Sequence, residues 1–68
     1  MSDPGKMLLE SLKAKYQADY KIAEATLRVY TSSPVGIGEH PQHVEEMDKL
    51  VQAMADAQDK LDVLSKIK

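Results

Sequence analysis

The sequence predicts an all-α fold, an antiparallel two-helix hairpin, and three observations carry that expectation. Two long amphipathic segments flank the stretch Thr31-Ser-Ser-Pro-Val-Gly-Ile-Gly-Glu-His-Pro41, whose two prolines and two glycines cannot continue a helix. Within each segment apolar residues recur every three or four positions, the period of one helical face. Folded onto each other, those positions pair as Leu27 with Met47, Ala23 with Leu50, Tyr20 with Met54, Tyr16 with Ala57, Leu12 with Leu61 and Leu9 with Leu64. The residue numbers of every pair add up to 73 or 74, the constant sum that an antiparallel arrangement requires.

The first helix is expected to start at Asp3-Pro4. An aspartate accepts from exposed amides at an N-cap, and proline is tolerated at the first helical position. The stripe Leu9, Leu12, Tyr16, Tyr20, Ala23, Leu27, Tyr30 then runs down one face. The opposite face, Lys6, Glu10, Lys13, Gln17, Lys21, Glu24, Arg28, carries mixed charges at i,i+3 and i,i+4 spacing, the mark of a solvated surface. Asp19 and Thr26 lie beside the apolar stripe, within expected reach of the tyrosine hydroxyls. Thr31, Ser32 and Ser33 are expected to satisfy the last carbonyls of this helix.

The second helix is expected to open at Pro41, with Glu45 and Glu46 near the positive end of its dipole. Its heptad positions are Met47, Leu50, Met54, Ala57, Leu61 and Leu64. Asp56 to Lys60 and Asp62 to Lys66 have the spacing of helical ion pairs. The boundaries follow as one domain over residues 1–68, with a helix about 4–31, a loop about 32–40 and a helix about 41–67.

Such a chain has difficulty standing alone. It has 68 residues, three tyrosines as its only aromatics, and no cysteine for disulfides, metal ligation or thiol chemistry. Small scaffolds without staples need oligomerisation or very regular packing. Met7, Leu8, Ile22 and Val29 on the first arm are left over by the six pairs, as are Val44, Val51, Val63 and Ile67 on the second. By the same register Val29 should face Val44 and Ile22 should face Val51. A face this wide exceeds a two-stranded seam. A homo-oligomer is therefore expected, a dimer of hairpins forming a four-helix bundle.

The function classes narrow accordingly. A formal charge of −2 does not call for an anionic partner. A small nucleic-acid-binding bundle is the alternative reading, but Glu10, Gln17 and Glu24 interrupt its would-be basic stripe of Lys6, Lys13, Lys21 and Arg28. The segment Met1–Leu9 has no apolar h-region, and no stretch is long enough to span a bilayer, so a cytoplasmic protein with no membrane partner is expected.

Metal binding at the loop histidines His40 and His43, near Glu39 and Glu46, is a weaker alternative. Imidazoles three residues apart on a helix can share an ion, but His40 precedes Pro41 and sits at the helix entry. Gly36-Ile37-Gly38 lacks the strand, the third glycine and the Lys-Ser/Thr of a phosphate loop. Two helices offer no buried cleft for catalysis, so no enzyme, catalytic residue or cofactor is expected. The connection remains. Its Val35 and Ile37 are apolar residues at a loop tip, and they either plug the hairpin near Tyr30 and Val44 or dock another chain. Val35, Ile37, Glu39 and His40 are the partner-binding candidates.

The run Tyr30-Thr-Ser-Ser-Pro-Val-Gly-Ile-Gly-Glu-His-Pro, with Val44-Glu-Glu-Met-Asp-Lys-Leu through Ala57-Gln-Asp-Lys-Leu-Asp-Val-Leu64, resembles a group of small proteins of large-genome tailed bacteriophages. The resemblance covers the Pro-Val-Gly-Ile-Gly-Glu-His-Pro loop and the helix after it, about half the chain. It implies an origin, and action in the infected host cytoplasm or within a virion. It implies no catalytic residue. The expectation is a non-enzymatic, self-associating interaction or assembly protein with an unidentified protein partner.

Overall fold

The computed structural model describes residues 3–32 and 41–67, and it is two helices laid against each other. Helix α1 runs Pro4–Ser32 and helix α2 Pro41–Ser65. The hairpin is as expected, with α1 one residue longer and α2 two shorter than the pattern suggested.

Local chemistry sets the ends. At the start of α1 the Lys6 amide donates to Asp3 Oδ1 at 2.8 Å, the side-chain bond of an N-cap. The Met7 amide donates to the Asp3 carbonyl at 3.1 Å and closes the first turn. A Cβ at Gly5 would stand 3.3 Å from that capping oxygen, so glycine there leaves the cap unhindered. At the other end Thr31 Oγ1 donates to the Arg28 carbonyl at 3.1 Å and Ser32 Oγ to that of Val29 at 3.3 Å. Ser33, assigned the same task from sequence, lies outside the described residues. Helix α2 stops early because its last turn tightens. The amides of Lys66 and Ile67 reach back only three residues, each at 3.0 Å, and Ser65 Oγ takes the Asp62 carbonyl at 2.6 Å.

The pairing stripe forms the seam. Leu9, Tyr16, Tyr20, Leu27, Met47, Leu50, Met54, Leu61 and Leu64 are half-buried, and Ala23 and Ala57 alone among the described residues are buried, at 4% and 3% exposure. Leu12 departs from the pattern at 39% exposure. The closed end of the seam is held by Tyr30 against His43, ring centroids 5.6 Å apart in an edge-to-face arrangement that extends the same constant-sum register. Further down, Lys60 Nζ lies 5.4 Å from the Tyr16 ring centre, spanning from α2 to α1.

Several expected polar contacts are replaced by others. Glu24 and Arg28 pair at 3.5 Å, as their spacing suggests. The Asp56–Lys60 and Asp62–Lys66 pairs do not form. Gln52 Nε2 donates to Asp56 at 2.9 Å and Gln58 Nε2 to Asp62 at 3.1 Å, each from one turn earlier, while Lys60 turns to Tyr16. Nor do Asp19 and Thr26 serve the tyrosines. Asp19 accepts from Lys15 Nζ at 2.9 Å, and Thr26 Oγ1 donates back to the Ile22 carbonyl at 2.7 Å. These exposed pairs are worth tenths of a kcal/mol each, so the seam sets the geometry.

The overall shape is a single layer. Its extents are 54 × 19 × 13 Å and its radius of gyration is 16.0 Å. A compact domain of this length would have a radius of gyration of about 11 Å.

Candidate interaction surface

Three places could meet another molecule: the connection, the cleft at the free end of the hairpin, and the outward helix faces. The connection carries the candidates Val35, Ile37, Glu39 and His40, and all four lie outside the described residues. His43, the other histidine, is described and packs on Tyr30. Among the described residues no three His, Cys, Asp or Glu side chains gather into a metal site.

The free-end cleft encloses about 440 Å³ between Leu9 of α1 and Leu61, Leu64 and Ile67 of α2, with Lys6, Glu10 and Lys13 along its rim. Its floor is apolar and its rim carries both signs of charge. Two helices one layer deep give it walls on two sides only, so it cannot exclude water from a reacting group. The ammonium of Lys15, farther along α1, is held above the ordinary lysine value of 10.5, first by its hydrogen bond to Asp19 and then by the charge of that carboxylate. Both side chains stand in solvent.

The outward faces are where the apolar surface lies. Met7, Leu8, Leu12, Ile22, Val29, Val44, Val51, Val63 and Ile67 are all exposed, nine large apolar side chains among the described residues. The pairs expected from sequence do not cover one another. Ile22 is 65% exposed and borders a groove with Ala53, Asp56 and Lys60. Val51, at 51%, precedes Gln58 by seven residues, two helical turns on the same flank, and Gln58 lines the other groove with Gln17, Tyr20 and Lys21. Ile22 and Val51 therefore share a level along the hairpin but project to opposite sides. The same spacing carries Val29 to the Ile22 side and Val44 to the Val51 side. A constant sum fixes axial level; it does not fix direction around the axis.

Comparison with protein-family models, with curated proteins and with solved structures finds no match to this chain. The surface has to be read from its own chemistry.

That chemistry is unequal on the two helices. At about 100° per residue, every charged side chain of α1 falls outside an arc of about 80° that points away from α2, so the series Lys6 to Arg28, expected opposite the seam, stands on a flank about a quarter-turn from it. Inside the arc lie Met7, Ser11, Ala14, Ala18, Ile22, Ala25 and Val29, exposed along their length. The corresponding outward face of α2 carries Glu45, Asp48, Gln52, Asp56 and Asp59, with Val63 as its one large apolar member. Hydropathy scanning passes over the α1 strip because alanine and serine weigh little in it. The signal that finds it is absence of charge at a second helical period. No described helix is long and apolar enough to cross a membrane.

Proposed function

We propose that this chain is a non-enzymatic, self-associating interaction or assembly protein whose working unit is a dimer of hairpins. The observation that carries the reading is the mismatch between burial and exposure. The chain exposes 5508 Å². A folded monomer of 7.6 kDa is expected to expose about 4,300 Å². The excess of about 1,200 Å² is larger than the ~800 Å² per partner of a standard protein interface. Meanwhile Ala23 and Ala57 alone among the described residues are buried, too little apolar area to offset the entropy of ordering two helices.

The resemblance of the loop and second helix to tailed-phage proteins supports a place of action in a host cytoplasm or a virion. If the segment with Val35, Ile37, Glu39 and His40 docks a further protein, Ile37→Asp abolishes its capture while sparing helicity and the oligomer; loss of helicity in that variant instead marks the segment as a structural plug. Sedimentation equilibrium from about 1 to 100 μM tests the self-association. A mass of twice 7.6 kDa is expected. A cooperatively folded species of 7.6 kDa throughout that range overturns the reading.

A further inference from the structure

We infer that the second copy docks on the charge-free outer strip of α1, antiparallel, about a twofold axis that passes beside Ala18. The inference rests on the self-association just proposed and names the seam.

The strip has the symmetry such a contact needs. In an isologous interface each residue i meets a residue j that meets i in return. For two antiparallel copies of one helix, i and j must then have a constant sum. Met7 with Val29, Ser11 with Ala25, Ala14 with Ile22 and Ala18 with itself all add up to 36. The strip is centred on Ala18, so an antiparallel copy keeps every member of it inside the contact.

Size and polarity agree with that alignment. Antiparallel docking sets the branched Ile22 against the small Ala14, and small residues about the centre let the two backbones approach closely. A parallel pair would set each residue beside its own copy, Ile22 on Ile22 and Ala18 on Ala18, leaving bulges and gaps. The hydroxyls in and beside the strip are already used. Ser11 Oγ donates to the Met7 carbonyl at 2.9 Å and Thr26 Oγ1 to that of Ile22 at 2.7 Å. Covering them leaves no donor unmet.

The flanking charges select the same partner. Twofold symmetry brings each flank of α1 against the same flank of the second copy. On one flank Glu10 then comes within about two residues, or ~3 Å along the axis, of Arg28 of the second copy. On the other, Lys15 comes equally close to the level of Asp19 of the second copy, but the two Asp19 carboxylates come as close to each other, so this flank adds little and Glu10 with Arg28 carries the charge complementarity. The acidic outer face of α2 has no such self-complementarity. Neither broad side of the hairpin is apolar on both helices: Ile22 neighbours Asp56 and Lys60, and the groove on the Val51 side is edged by Lys21 and Gln17. The assembly is thus a row, α2–α1–α1–α2, with both copies of α1 inside.

Single cysteines test this directly, because the native chain has none. Ala18→Cys should oxidise to a disulfide-linked dimer roughly tenfold faster than Gln17→Cys or Val51→Cys, since only the axis-proximal position brings two Cα atoms within about 4.4–6.8 Å. Ile22→Glu should weaken the dimer by roughly tenfold or more, because each copy would place a carboxylate at the rim of the seam where it now buries a branched apolar side chain. Val51→Glu should leave association within about threefold, as an exposed position allows. The cysteine result stands even if Ile22→Glu fails to fold. Faster cross-linking at position 17 or 51, or dissociation by Val51→Glu alone, overturns the seam while leaving self-association intact. A wild-type monomer at ~100 μM overturns both.

Discussion

Removing one methyl group from Ala57 measures whether the two helices touch where the seam is tightest. Ala57 is 3% exposed, and Ala55 on the same helix is exposed. Both sit in the interior of α2, away from its ends. Glycine at either position loosens the helix by about 1 kcal/mol relative to alanine. At position 57 the change also removes a buried methyl, about 0.8 kcal/mol of transfer free energy, with a further cost if the small void stays open. Ala57→Gly should therefore cost about 2 kcal/mol and Ala55→Gly about 1 kcal/mol. The difference isolates the contact, because the propensity contribution is common to both. Urea unfolding followed by helical circular dichroism gives both values, at one protein concentration because an oligomer's stability depends on it. In a domain of this size 1 kcal/mol moves Tm by about 4–8 °C, well within reach of a melt. Equal losses at the two positions, within about 0.3 kcal/mol, would refute a seam that closes on Ala57.

Two further outcomes follow from local contacts. Asp3→Ala should cost about 1 kcal/mol by stripping the cap from the Lys6 amide, and Asp3→Asn should restore most of it; a melt that does not respond to either would place the helix start elsewhere. Because Asp19 raises the pKa of Lys15 in the folded chain, the pair's small contribution should be fully present below the unfolded lysine value of 10.5 and disappear as pH climbs through the higher folded value. The check is an NMR titration of the Lys15 side chain, whose midpoint should fall in Asp19→Asn; an unchanged midpoint would mean that the bond does not persist in solution.

Much of the fold is legible in the sequence. The seam residues, from Leu9 with Leu64 to Leu27 with Met47, were readable because burial in a helix repeats every three to four residues. Asp3 was readable as a cap because the chemistry of a helix start is local. Leu12 was misjudged because a period describes a whole face and says nothing of which member lies at its edge. The ion pairs of Asp56 and Asp62 were misjudged for another reason. Each carboxylate has candidates one turn before and one turn after, and a glutamine one turn back can win when the lysine is drawn elsewhere, as Lys60 is by Tyr16. The outer strip of α1 was missed because its key members are alanine and serine.

By itself the sequence determined two amphipathic helices, where α1 begins, the antiparallel sense of the hairpin, and the axial register that brings Ala23 and Ala57 into its interior. Those properties are local or periodic, and one dimension is enough to hold them. Tertiary structure decided which way the remaining apolar residues point. Ile22 and Val51 lie at one level and look made for each other, yet a rotation about each helix axis that no sum of residue numbers can express sends them to opposite sides. That rotation leaves α1 apolar on two opposed faces and α2 apolar on one, so α1 is the helix with a second face still to cover.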